Sequence, residues 1–298
     1  MKKRIFYFNI NYACNNRCVF CYSHNTKHTE IPHNELSFSE FEKYIKVKNI
    51  SLKDRIVLNG GEPLLHSEID KYLDFLSNTS YEVVIFSNGR LARNLNSKYL
   101  TSNIRFVIPI HGCEEIHDYF TGIKGSYNDT LSSMQYLTEN NNCLVDMKII
   151  LNEKNIENQE SFFKSLETWN SINFNNAVHL TMMADTKISI ANGCASLDKT
   201  LVSKYTDKLL KNFISKHIVK IYGTCIKGIK CVLNNEVKKY EYDLEFNYKD
   251  FSAEKVVELK EPDFSCDSEC IYRKHCKSEV TEYKVLEFDN NIIYESVE

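Results

Sequence analysis

The 298-residue sequence contains no apolar run approaching the roughly twenty residues that a membrane-spanning helix requires. It also lacks a secretory signal. Met1-Lys-Lys-Arg-Ile-Phe-Tyr-Phe-Asn-Ile has basic residues but only a short apolar run and no small-residue cleavage site, so it reads as a strand. There is no surplus of positive charge: 37 Lys and Arg against 40 Asp and Glu give a net charge of −3, which implies no broad basic field for nucleic acid. No solenoid-length repeat and no low-complexity tract interrupts the chain, although it is rich in Asn and Lys. At 43% apolar and 26% charged residues it can bury a core and is not compositionally disordered. These absences leave a soluble, cytoplasmic protein as the expectation, in a compartment where thiols stay reduced.

Cysteine, by contrast, is abundant: 11 residues, most of them clustered. In a reducing compartment such clusters mean metal more often than disulfides. The first cluster is Cys14-Asn-Asn-Arg-Cys18-Val-Phe-Cys21-Tyr22, three thiols in eight residues. Three cysteines can hold a four-iron cluster and leave one iron open to another ligand, the logic that separates catalytic from structural zinc sites. A zinc site is the structural alternative.

Taken in order, the chain alternates strand and helix. The run Arg4 to Asn11 is a strand that leads straight into the cysteines. Ser37-Phe-Ser-Glu40 has the form of a capping box opening a helix to about Lys48. A short strand, Arg55 to Leu58, enters Asn59-Gly60-Gly61-Glu62-Pro63, and Ser67 is expected to cap a helix with Ile69, Tyr72, Leu73 and Leu76 on one face. Further strands are expected at Val83–Phe86 (ending in Ser87-Asn88-Gly89), Arg105–Ile110 (ending in His111-Gly112-Cys113), Val145–Leu151 and His179–Met183. Helices are expected at Asn128–Glu139, Gln159–Trp169 and Asp198–Lys216. Six strands alternating with helical segments predict an α/β fold, a partial (β/α)6 TIM-type barrel whose chemistry sits on the loops after the strands. Residues 1–217 are assigned to it. Residues 218–298 read as a small cysteine-rich extension containing β-hairpins around Asn234-Asn235 and Asn290-Asn291, with Cys225, Cys231, Cys266, Cys270 and Cys276.

The cysteine spacing, Gly60-Gly61-Glu62-Pro63 after the second strand, and the alternation over roughly residues 4–215 resemble the radical S-adenosylmethionine (SAM) superfamily. The resemblance implies that Cys14, Cys18 and Cys21 hold a [4Fe-4S] cluster whose open iron binds the amino and carboxylate groups of SAM. Reductive cleavage then gives methionine and a 5′-deoxyadenosyl radical that takes hydrogen from the substrate. It further implies that Gly60, Gly61 and Glu62 bind the methionine amine, with the glycines letting backbone approach the ligand and Glu62 accepting from the ammonium. Phe20 falls near the adenine, Ser87 and Asn88 near ribose or carboxylate, and His111 near SAM or substrate. The bland alternatives are a satisfied structural histidine at 111 and a plain Asn-Gly turn at 88.

The stretch Ile110 to Ser126 is similar to the segment after strand four in radical SAM enzymes that modify peptides or mature other proteins. There His117 and Asp118 are expected to anchor the loop structurally. The extension resembles SPASM or twitch domains, which implies one auxiliary iron–sulfur cluster on Cys266, Cys270 and Cys276 with Cys225 or Cys231; a zinc knot is the alternative. Cys113, Cys143 and Cys194 read as buried small hydrophobes, although Cys113 at a strand end is also a candidate hydrogen donor. The expected function is therefore a radical SAM enzyme acting on a peptide substrate, with an electron donor such as flavodoxin or ferredoxin as partner. Dehydrogenation of a small metabolite, activation of a partner enzyme, and a non-enzymatic iron–sulfur or zinc module are the alternatives. The chain opens at its first strand, so leader recognition is expected to fall to a partner or to another surface.

Overall fold

The computed structural model describes residues 4–21, 35–139, 142–151, 153–171, 177–182, 218–222, 284–288 and 291–297. Parallel strands run through the first part of the chain as β1 (Arg4–Asn11), β2 (Arg55–Gly60), β3 (Glu82–Phe86), β4 (Ile104–Pro109), β5 (Leu144–Leu151) and β6 (Ala177–Met182). Each pairs in parallel with its predecessor, which requires the crossovers that the alternation implies. Two additions go beyond the expected six strands. β7 (Ile218–Tyr222) continues the parallel sheet beside β6, so the sheet runs across position 217. β8 (Lys284–Phe288) and β9 (Asn291–Val297) form an antiparallel hairpin, and β9 pairs antiparallel with β1. The sheet order is β7-β6-β5-β4-β3-β2-β1-β9-β8. The last cross-strand pair of the hairpin is Phe288 opposite Asn291, one residue earlier than a turn centred on Asn290-Asn291 would place it.

Alternation along the strands sends side chains to two faces, as a buried parallel sheet requires. Phe6, Phe8, Ile10, Ile56, Leu58, Val83, Ile85, Phe106, Ile108, Val145, Met147 and Ile149 belong to the large core shared with the helices. The other face carries a small apolar cluster of Ile5, Tyr7, Val57, Val84 and Val107. On that face Arg55 pairs with Glu82 at 2.9 Å and Arg105 with the buried Asp146 at 2.6 Å.

The helices are α1 (Phe38–Val47), α2 (Ile69–Ser77), α3 (Glu114–Thr121), α4 (Ser126–Glu139), α5 (Glu153–Glu157) and α6 (Gln159–Ser171). At α1 the capping box is present: Ser37 accepts from the Glu40 N–H, and the Glu40 carboxylate accepts from the Ser37 N–H. Ser67 does not cap α2. Its N–H and hydroxyl are taken by the Glu35 carboxylate, and Glu68 occupies the cap position without a side-chain bond. Helix α3 forms where a loop was expected, closed by Gly122 in the left-handed region at φ +68. No helix among the described residues is long and apolar enough to cross a membrane. The expected helix at 198–216 and hairpin at 229–244 lie outside the described residues.

Candidate active site

Cys14, Cys18 and Cys21 stand on the loop that leaves β1, and two neighbouring segments hold that loop by its backbone. The Gly61 N–H donates to the Asn11 carbonyl at 2.9 Å and the Glu62 N–H to the Ala13 carbonyl at 2.7 Å. Asn11 Nδ2 answers with a 2.8 Å bond to the Glu62 carbonyl. On the far side, Arg17 N–H donates to Thr121 (2.7 Å) and Val19 N–H to Phe120 (3.0 Å), at the end of α3. This explains the glycines differently from the expectation that they make room for a ligand. A Cβ on Gly60, which sits at φ +138, would lie 2.2 Å from the Asn11 carbonyl oxygen, and one on Gly61 would lie 2.3 Å from that of Ala13. What they admit is the cysteine loop itself. Gly122 does the same beneath Arg17, where a Cβ would come within 2.7 Å of the Arg17 carbonyl oxygen.

Glu62 is fully buried, with its carboxylate turned into the protein. It accepts from Ser87 Oγ (2.8 Å), the Leu64 N–H (3.1 Å) and the Asn88 N–H (2.7 Å). Burial nevertheless pushes its carboxyl up to about 7, against those donors and the positive charge of Arg90. Ser87 and Asn88 thus bind Glu62 in this structure. Asn88 also reaches the loop, with Nδ2 2.6 Å from Asn15 Oδ1 and 3.9 Å from Cys14 Sγ, so it is more than a turn residue. Arg90, on the same turn, was not singled out by sequence; its bonds to Asn15 and Asn16 are tertiary and leave no local pattern.

Phe20, just before the third cysteine, meets His111 edge-on at 5.1 Å between centroids and lies 5.8 Å from Phe120. His111 stacks on His117 at 5.2 Å and 22°. Both histidines are buried, which pushes His117 down to about 4 and His111 well below its ordinary value. Both rings are therefore neutral at pH 7. The His117 Nδ1 accepts from the His111 N–H at 3.2 Å, which places the ring proton on Nε2. Asn155 fixes the strand end from below, donating to the carbonyls of His111 (3.1 Å) and Ile150 (2.9 Å). Asp118 anchors the following turn as expected. Its carboxylate accepts from the Gly125 and Tyr127 N–H groups and from Ser126 Oγ. Cys113 occupies the N-cap of α3 and packs with Val19, Phe20 and Ile150 against Ile116 and Phe120, so it borders the loop. Cys143 is buried in the main core, as read.

The donor set of the loop fits an iron–sulfur cluster. Cys14, Cys18 and Cys21 form no disulfide. Burial pushes the thiols of Cys14 and Cys18 up; Glu62 and Cys21 raise Cys14 further, and Cys21 and Cys14 raise Cys18 further. Thiolates so placed need cationic metal to be stable, and metal coordination deprotonates them outright. Among the described residues no three His, Cys, Asp or Glu side chains converge on one ion. Three thiols from one loop are a donor set that an iron–sulfur cluster takes. The Asn16 N–H donates to Cys14 Sγ at 3.4 Å, a bond of the kind that tunes cluster sulfur. The candidate auxiliary ligands Cys225, Cys231, Cys266, Cys270 and Cys276, and Cys194, lie outside the described residues.

A family model described as the radical SAM superfamily matches residues 8–166, more than half of the chain. Among curated relatives, the Fe-coproporphyrin III synthase of Methanosarcina barkeri is 27% identical over 168 residues, 56% of this chain and 41% of that protein. The antilisterial bacteriocin subtilosin biosynthesis protein AlbA of Bacillus subtilis is 23% identical over 139 residues, 44% of this chain and 30% of AlbA. Streptococcus suis SuiB bound to S-adenosylmethionine shares the fold at a TM-score of 0.58 and 12% identity, over 74% of this chain and 50% of SuiB. SuiB has also been crystallised bound to the precursor peptide SuiA. The chain thus spans half or less of each of these proteins. Superfamily members are enzymes that use a [4Fe-4S] cluster and SAM. With the family match over 8–166, the parallel sheet in sequential order and the three-cysteine loop at its strand ends, the chain belongs to the radical SAM superfamily.

Proposed function

We propose that this chain is a radical SAM enzyme that abstracts hydrogen from a peptide, maturing a ribosomally made precursor by cross-link, thioether, epimerisation or dehydrogenation. The reaction type is carried by one observation: three cysteines on a loop clamped by Gly60–Glu62 on one side and Phe120–Gly122 on the other. The peptide is supported by relatedness to AlbA, a bacteriocin biosynthesis protein, and by a fold shared with SuiB, which binds a precursor peptide. When bound, the cluster supplies the electron that splits SAM into methionine and the hydrogen-abstracting 5′-deoxyadenosyl radical. The chain's own residues hold and enclose. Cys14, Cys18 and Cys21 are the cluster ligands. The Gly60–Glu62 turn and Phe20 line the SAM site, Glu62 being kept rigid by Ser87 and Asn88. The neutral His111–His117 stack backs Phe20 with a dry wall. One auxiliary cluster on the C-terminal cysteines and an electron donor such as flavodoxin or ferredoxin complete the proposal.

A second reading, hydrogen abstraction from a small metabolite, is supported by the 27% identity to Fe-coproporphyrin III synthase. One experiment addresses both. The full chain is reconstituted anaerobically with iron and sulfide, given SAM and a reductant, and assayed for 5′-deoxyadenosine with and without peptides encoded beside the gene. Formation of 5′-deoxyadenosine that disappears when Cys14, Cys18 and Cys21 are replaced by Ala, together with a loss of hydrogen from such a peptide or an inverted residue in it, is expected. An intact cluster that yields no 5′-deoxyadenosine would sink the reaction type, and turnover that no peptide stimulates would favour the metabolite.

A further inference from the structure

Arg90 lies on the turn after β3, and its guanidinium works in two directions. Toward the cysteine loop, Nη1 donates to the Asn15 carbonyl at 2.7 Å and to Asn16 Oδ1 at 3.2 Å. Away from it, Nε and Nη2 grip one carboxylate oxygen of Asp129 on α4 at 3.3 and 3.2 Å. The Arg90 N–H donates to Asn88 Oδ1 at 3.0 Å, and Asn88 in turn binds Asn15. Two of the three residues between Cys14 and Cys18 are thus fixed by a planar, permanently charged fork that is itself braced by a helix. Asn16, one of the two, is also the residue whose N–H meets Cys14 Sγ. The Arg90 side chain is only 17% exposed, so solvent screens it little; the Asp129 carboxylate at 3.2 Å offsets part of its charge and the remainder acts on the loop. Its field extends to the Glu62 carboxyl and to His117. A second arginine, Arg93, reaches the same Asp129 at 3.5 Å but is 49% exposed, so Asp129 is the brace and Arg90 the inward arm.

We propose that Arg90, braced by Asp129, is a positioning residue for the cluster: it sets the backbone between Cys14 and Cys18 and its fixed positive charge favours the reduced state of whatever those cysteines hold. The proposal rests on Cys14, Cys18 and Cys21 being the ligands of the SAM-binding cluster. It has two separable parts, geometry and charge, because lysine keeps the charge while losing the fork.

The test uses the reconstituted full chain, with a Cys14, Cys18 and Cys21 to Ala variant to subtract signal from any other cluster. For each protein the cluster's midpoint potential is read by electron paramagnetic resonance in a redox titration, and its loss to an iron chelator is timed. Arg90→Gln is expected to lower the reduced-to-oxidised ratio at fixed potential about tenfold, which is ~59 mV for one electron. It is also expected to lose iron to the chelator about tenfold faster. Arg90→Lys is expected to restore the potential but not the slow iron loss, and it covers the case in which Arg90→Gln does not fold. A native potential and native iron retention in either variant would overturn the proposal, since a merely structural arginine would shift thermal stability alone. Failure of the native chain to load a cluster on these cysteines would overturn the ligand assignment and the proposal together. Native loading with indifference to residue 90 would overturn the proposal alone.

Discussion

A methyl group on Gly61 would sit 2.3 Å from the Ala13 carbonyl oxygen and 2.6 Å from that of Tyr12, both backbone atoms with nowhere to go. Gly61→Ala is therefore expected to push the cysteine loop off β2, destabilising the protein by on the order of 2–3 kcal/mol and cutting iron retention severely. Chelator challenge and urea unfolding of the variant check this, and native values in both would show that the loop can shift without cost. Cys113 offers the opposite kind of residue, one that substitution removes without disturbing the frame. It borders Phe20 from the N-cap of α3, makes no side-chain capping bond, and packs only at the edge of a small cluster. If it donates hydrogen to a substrate radical, Cys113→Ala should leave 5′-deoxyadenosine formation intact and abolish incorporation of one deuterium into the peptide from D2O; undiminished incorporation by mass spectrometry would remove it from the chemistry. At this scale the sequence was most legible where chemistry is local. The cysteine spacing and Gly60-Gly61-Glu62 can be read from a few adjacent letters. Arg90 cannot, because Asp129 is 39 positions away and nothing in either neighbourhood announces the pair.

Elements show where periodicity misleads. Helix α3 carries Ile116 and Phe120 on its buried side, together with the buried polar residues His117 and Thr121, so its apolar stripe is too thin to register as a helical pattern. Its two end signals were nevertheless present: Glu114-Glu115 in the first turn and Gly122 just past the last. The element also determines a pH response. Its His117 is pushed down to about 4 by burial, while an unfolded chain titrates near 6.5. Above pH 6.5 both states are neutral there and the stability contributed by the buried ring is fully present. As the pH falls below 6.5 the unfolded chain takes up a proton that the native ring refuses, so stability declines until about pH 4. The loss amounts to up to about 3 kcal/mol. With His111 and Glu62 left in place and contributing equally to both proteins, His117→Gln should lose less stability than the native chain when urea midpoints are compared from pH 7.5 to 4.5, and an unchanged difference across that range would show that the ring titrates freely in the folded protein.

For the whole molecule, the alternation of strands and helices was enough to predict an α/β partial barrel, because each parallel strand pairs with the one before it and each crossover is encoded between them. β7 reads in the sequence as the start of the extension, since five residues of Ile, Val, Lys, Ile and Tyr carry no sign of which partner they choose. The position of the hairpin was equally hidden. Its turn region was readable within one residue, but its docking on β1 joins opposite ends of the chain and depends on an edge that only the assembled sheet presents.

That docking has a consequence in time. A ribosome delivers β1 first and β9 long afterwards. Strands β1 to β5 can pair in the order in which they emerge, each waiting only for the next crossover. The outer edge of β1 stays bare until the hairpin arrives, and the cysteine loop is suspended from that same strand. Metal delivered to a nascent chain would meet ligands on an unfinished support, whereas metal delivered after release would meet them with both edges of β1 closed.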